Sequence, residues 1–109
     1  MLEARFYVTS AGNEPVRDWR KSLGREERVT IGSDIQAVQW RWPVSKPLVD
    51  GLGQGLYEVR STVKDVEYRV LFCIVAREMV LLHGFVKKAQ KAPKEIAMGR
   101  ARKKDVEEG

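Results

Sequence analysis

The chain has 109 residues, 43% of them apolar, with a formal net charge of +5. That length holds one domain with one modest core, and that composition excludes a disordered polymer. One cysteine, Cys73, excludes an intramolecular disulfide, and Cys73 with the lone His83 supplies too few ligands for a Cys/His zinc site, so no metal or other cofactor is expected.

The N-terminus, MLEARFYV, lacks a signal-peptide pattern, and the apolar run Val70–Ala76 is far too short to span a bilayer. No membrane partner is expected, and a reducing, cytoplasmic location is. Arg5–Ser10 is aromatic and β-branched and predicts a first strand. Glu14-Pro15 opens a helix whose Val16, Trp19 and Leu23 recur at i, i+3 and i+7, and Gly24 stops it. A second helix runs from about Arg25 to Arg41, with Ile31, Ile35, Val38 and Trp42 on one face, and ends ahead of Pro43. Of Trp19, Trp40 and Trp42, at least two are expected to pack.

Val44–Gly55, rich in Gly and Pro, reads as a loop. Leu56–Val63, Val66–Val75 and Met79–Lys87 read as strands, and their short connectors imply antiparallel hairpins. From about residue 92 a highly charged segment begins, with Pro93 at a helix start and Ile96, Met98, Ala101 and Val106 beyond it: a C-terminal basic helix or tail. Residues 1–109 form a single α+β domain by this reading. Two N-terminal helices pack on one face of a mainly antiparallel four-stranded sheet, with the first strand beside the last.

Residues 1–54 are nearly neutral, so the positive excess falls in the second half, especially at Lys87, Lys88, Lys91, Lys94, Arg100, Arg102, Lys103 and Lys104. Such a cluster attracts polyanions, nucleic acid foremost, although an acidic protein would satisfy it too. Strand alternation places Tyr68, Val70, Phe72 and Ile74 on the core face and Arg69, Leu71 and Cys73 on the other, which is expected to be open. Arg60 lies across the hairpin, and Lys87 and Lys88 end the last strand, so cations converge on an anion site. RNA can be cut there without metal. The substrate's own 2′-OH attacks, Arg stabilises the phosphorane charge, and Lys or His supplies acid and base. A plainer reading makes Arg60 and Arg69 partners of Glu58 and Glu67, His83 a satisfied half-buried histidine, the lysines a solvated face, and Cys73 a small core residue.

GLYEVRSTVKDVEYRVLFCIV followed by MVLLHGFVKKAQKAPKEIAMGRARK resembles the phage-derived, HigB-like branch of the RelE/ParE toxin superfamily. The resemblance is strong over Gly55–Arg102 and looser upstream, through RFYVTS, PVRDW and Lys46-Pro47-Leu48. It implies the RelE-like microbial RNase fold and the toxin half of a type II toxin–antitoxin pair: a metal-independent, ribosome-dependent mRNA endoribonuclease that inhibits translation. By this resemblance Arg69 stabilises the phosphate, Lys87 or Lys88 is the second cation, and Arg60 stands where the branch has an arginine. RNA or 16S rRNA contacts are expected from Lys46, Lys91, Lys94, Arg100 and Arg102. The implied partners are mRNA on the ribosome and a helix-turn-helix HigA-like antitoxin, through which alone operator DNA is met. Other superfamily members carry lysines on the strand that here holds Glu58, and a tyrosine in the tail, whereas no tyrosine follows Tyr68 here. The acid and base therefore stay open among Lys46, Lys91, Lys94 and His83. Two other readings fit the superfamily or the charge: a ParE-like DNA gyrase inhibitor acting by protein binding, and a non-catalytic RNA-binding module.

Overall fold

A computed structural model describes residues 1–109. In chain order the elements are β1 (Glu3–Phe6), α1 (Pro15–Lys21), α2 (Arg25–Arg41), β2 (Val49–Gly53), β3 (Leu56–Val63), β4 (Val66–Val75), β5 (Glu78–Lys87) and α3 (Pro93–Glu108). The strands form one sheet in the order β1-β5-β4-β3-β2, with β1 parallel to β5 and every other pair antiparallel. The β3–β4 hairpin closes through Lys64 and Asp65, both at positive φ (49° and 67°), the backbone twist that two-residue hairpins favour.

Alternation on β3 and β4 decides the layers. Val59, Val63, Tyr68, Val70 and Phe72 point to one face, where Val16 of α1 and Ile31, Ile35 and Val38 of α2 bury against them. Trp42, extended at ψ 135° just ahead of Pro43, seals the end of this layer edge-on to Tyr57 (5.0 Å) and Phe72 (5.7 Å). Trp19 packs at 6.4 Å from Tyr68, while Trp40 stays 66% exposed.

Leu56, Leu71, Cys73, Val80, Leu82 and Phe85 point to the opposite face, and α3 covers them with Ile96 and Val106. Gly99 permits the approach: a Cβ there would stand 2.6 Å from Leu71 Cδ1. Several charges of α3 are engaged at this contact. Arg100 donates to the carbonyls of Leu52 (2.7 Å) and Gly53 (3.2 Å), and Tyr7 donates its hydroxyl to Asp105 (2.5 Å). Arg102 donates to the Leu82 carbonyl at 2.9 Å and lies over the Tyr7 ring.

Three expectations are corrected: the strand count, the place of the first strand and the openness of the second sheet face. The sheet has five strands, because Val49–Gly53, read as loop, pairs with β3 through a register irregularity between Gly51 and Gly53. The first strand occupies Glu3–Phe6, displaced upstream of Arg5–Ser10, and its pairing with β5 makes the sheet mixed. The C-terminal segment is a helix, one of the two forms expected, and it packs on the sheet. The second sheet face is therefore closed over much of its area rather than open.

A further irregularity sits in β5. Leu71 of β4 pairs with His83, but Phe72 pairs with Leu81, so Leu82 is an extra residue on β5. Upstream of this bulge Leu81 faces α1 and α2 while Val80 faces α3. Downstream, Gly84 takes the α1 side, under the Trp19 ring, and Phe85 takes the α3 side.

Candidate functional site

The hairpin register assembles the site as rungs across the α3 side of the sheet. Asp50 pairs with Glu58 and Glu58 with Leu71; Arg60 pairs with Arg69 and Arg69 with Phe85; Thr62 pairs with Glu67 and Glu67 with Lys87. Residues directly opposite one another share a face, so Arg60, Arg69 and Lys87 are brought together with three carboxylates between them. Without the β5 bulge, Phe85 and Lys87 would lie on the α1–α2 side.

Two arginines directly opposite each other repel unless acids interleave them. Glu58 and Glu67 do so, each two residues ahead of its arginine on the same strand face. Arg60 Nε lies 3.1 Å from Glu58 Oε1, and an Arg60 terminal nitrogen 3.2 Å from Asp50. Arg69 Nε lies 3.5 Å from the same Glu58 oxygen, while one terminal nitrogen reaches Glu67 at 2.9 Å and the other the Tyr68 carbonyl at 3.2 Å. The Arg69 side chain is only 5% exposed, so it lies buried in an ion-pair ladder rather than on an open surface. Lys46 extends the ladder to Asp50 at 3.6 Å. The repeated Glu-x-Arg of Glu58-Val59-Arg60 and Glu67-Tyr68-Arg69 is the sequence signal for this ladder.

Thr62 completes it, donating its hydroxyl to Glu67 at 2.7 Å. The Thr62 hydroxyl and the Arg69 guanidinium hold the Glu67 carboxyl below its ordinary range, with Lys87 adding to the effect. A carboxyl lowered in the folded state stabilises the fold above its ordinary value, and that contribution is lost as pH falls through the lowered value. Thermal melts of the wild type and Glu67→Gln should therefore differ at neutral pH and converge in acid below the usual glutamate range. A difference that persists unchanged into acid would rule this out.

Four cations without carboxylate partners lie beyond the ladder. Lys87, Lys88, Lys91 and Lys94 make no ion pair. They line a cleft of about 430 Å³ between the end of β5 and the start of α3. A second hollow of about 340 Å³ adjoins it, sharing Phe85, Lys87 and Lys91 and reaching Arg60, Glu58 and Asp50. Helix α3 begins at this cleft with Pro93 in its first turn and no side-chain cap, so its unpaired N–H groups and positive dipole end face the same space.

His83, turned onto the α3 side by the bulge, is 17% exposed. Arg102 approaches its Nδ1 at 3.2 Å, and Glu95 lies 2.9 Å from its Nε2. A guanidinium only donates, so Nδ1 accepts and Nε2–H donates to Glu95; both ring nitrogens are engaged. Glu95 and Phe85, which stacks on the His83 ring at 5.6 Å, both line the lysine cleft, and His83 itself does not. Arg100 and Arg102 spend donors on the backbone of β2 and β5, so of the expected RNA contacts Lys91 and Lys94 stand at the cleft. Burial raises the Cys73 thiol above its ordinary value, which makes it a poor nucleophile. No group of three or more His, Cys, Asp or Glu is placed to hold a metal ion, and no helix is long and apolar enough to cross a membrane.

A mixed five-stranded sheet, two helices on one face, a basic helix on the other and a lysine cleft at its start define a small α+β domain with an anion-attracting edge. Residues 18–104 match the model of the phage derived protein Gp49-like family (DUF891), and the chain belongs to that family. A comparison with curated proteins finds no match.

Proposed function

We propose that this protein is the toxin of a type II toxin–antitoxin pair, a HigB-like, metal-independent endoribonuclease that cuts mRNA on the ribosome and so inhibits translation. The observation that carries the reading is the convergence of Lys87, Lys88, Lys91 and Lys94, free of ion pairs, on the cleft beside the Arg60–Arg69 ladder. Membership of a phage-derived family and the Tyr-Arg-Val and His-Gly-Phe-Val-Lys-Lys motifs support it. In this reading the lysines gather the RNA backbone and Arg69 stabilises the charge on the attacked phosphate. A lysine of the cleft moves the proton, and mRNA, 16S rRNA and a helix-turn-helix antitoxin are the partners.

The test is growth arrest and the mapping of transcript 5′ ends after induction. Lys88→Gln/Lys91→Gln removes two exposed charges that pair with nothing, so thermal stability should be unchanged while cleavage falls. Binding to single-stranded RNA should also lose salt dependence, the slope of log K against log salt flattening by about 0.7 per lost phosphate contact. A double variant that remains fully toxic removes the cleft from the mechanism. One observation favours a second reading, a non-catalytic RNA-binding module: Arg60 and Arg69 are already matched by Asp50, Glu58 and Glu67. That reading predicts steeply salt-dependent binding with no new 5′ ends on translating ribosomes.

A further inference from the structure

The ladder holds one carboxylate in a setting suited to a different anion. Glu67 receives the Thr62 hydroxyl on one oxygen at 2.7 Å and the Arg69 guanidinium on the other at 2.9 Å, and Lys87 is its direct cross-strand partner. A hydroxyl and a guanidinium thus hold a single anionic group at the rim of the lysine cleft, and Lys87, opposite it across the strands and free of any ion pair, lines that cleft.

The two carboxylates on Arg69 differ in their freedom to leave. Glu58 is 8% exposed by side chain and shared between two arginines; Glu67 is 42% exposed. Arg69 itself is anchored, with its side chain 5% exposed, one terminal nitrogen on the Tyr68 carbonyl and its Nε 3.5 Å from Glu58. The terminal nitrogen facing Glu67 is therefore the one whose partner can swing into water while the arginine stays in place.

We propose that Thr62, Arg69 and Lys87 form a phosphate subsite which the carboxylate of Glu67 fills in the free protein and vacates when a phosphodiester of a bound RNA enters. That the phosphate arrives on RNA rests on the function proposed above; the subsite itself rests on the ladder. The exchange is neutral in charge, since a phosphodiester and a carboxylate each carry one negative charge. Arg69 is thus never left buried and unpaired, the situation that would make displacement expensive. Glu67 moves to solvent, where a glutamate is at no disadvantage. The internal competitor also discriminates. A small anion must win against a tethered carboxylate, whereas a polyanion already held by Lys88, Lys91 and Lys94 presents its phosphate at high local concentration.

The test uses the full chain and two probes: inorganic phosphate, followed by guanidinium NMR of Arg69, and a fluorescent single-stranded RNA with every 2′-OH methylated so that it cannot be cut. Glu67→Gln keeps the shape and removes the charge, and should tighten both probes roughly tenfold, the effect of one charge-assisted hydrogen bond freed from competition. Adding Thr62→Val should take back part of that gain. Glu67→Asp, which retains the charge on a shorter arm, should give a smaller rise in the same direction and serves if the glutamine variant folds poorly. Tighter phosphate binding with no RNA binding by any form supports the subsite and removes the RNA reading. RNA binding by the wild type that neither variant tightens, with no gain for phosphate, overturns the subsite and leaves the RNA reading standing.

Discussion

Arg69→Ala will abolish transcript cleavage and will also destabilise the fold, a pairing of losses that the cleft lysines will not show. The second loss follows from burial. Arg69 is 5% exposed and faces Glu58, itself 8% exposed, so removing the guanidinium strips one of two counter-charges from a buried carboxylate. Breaking a buried pair by deleting one partner costs about 3–5 kcal/mol. The lower end applies here because Arg60 remains 3.1 Å from the same oxygen. The first loss follows from the role proposed for the guanidinium, and removal of one preorganised donor to a developing anion lowers rates by about 10²–10³. The two effects separate in a second variant. Arg69→Ala/Glu58→Gln takes away the stranded charge, so urea denaturation should show stability partly restored while mapped 5′ ends show no return of cleavage. Arg69→Lys keeps the charge but loses the planar fork, and should recover little activity. An alanine variant as stable as the wild type would show that the ladder contributes nothing to folding; one that still cuts would remove Arg69 from the chemistry.

Gly84→Val will be as damaging, for a purely steric reason. A Cβ at position 84 would stand 2.2 Å from Trp19 Cε3 and 2.5 Å from Cζ3, and the offending atoms belong to a rigid ring, not the end of a flexible chain. The ring cannot bend aside. It must leave its seat on β5, and α1 loses its main anchor to the sheet. Overpacking of this kind costs about 1–3 kcal/mol and sometimes more; with the Trp19–Tyr68 contact also disturbed, the upper end is expected. Circular-dichroism melts give the result directly. Gly84→Val/Trp19→Ala should be more stable than Gly84→Val alone, because it removes the obstacle. A single variant that melts with the wild type would mean that the ring does not rest on Gly84.

The parts of the fold that were legible in the sequence are those where one local rule operated without competition. Leu56–Val63, Val66–Val75 and Arg25–Arg41 were read with the bounds the structure has, because β-branched runs between turns and a clean helical period are strong signals. β2 was hidden because Gly51, Gly53 and Pro47 carry loop composition, and its pairing comes from β3 rather than from its own residues. Helix α3 is highly charged. Its packing depends on where the charges go: Arg100 to the β2 carbonyls, Arg102 to Leu82 and His83, Asp105 to Tyr7. No helical pattern shows such long-range partners. The grouping of Arg60 with Arg69 followed from alternation and hairpin register. The burial of Arg69 did not, because it depends on the third helix. The position of Lys87 depends on a bulge that periodicity alone places on the wrong side.

That bulge has a consequence for how such a chain can change. The bulge at Leu82 takes up one surplus residue, so Phe85 and Lys87 owe their side of the sheet to that bulge rather than to their own chemistry. Deleting Leu82 would remove the surplus and leave an unbulged strand, with His83 still opposite Leu71, Phe85 opposite Arg69 and Lys87 opposite Glu67. Straightening the bulge with every residue kept would instead turn Lys87 toward the apolar layer of α1 and α2 and carry Gly84 out from under Trp19. The cationic cleft therefore depends on where β5 houses its surplus residue, and a strand that lacked that residue would keep Lys87 on the same side.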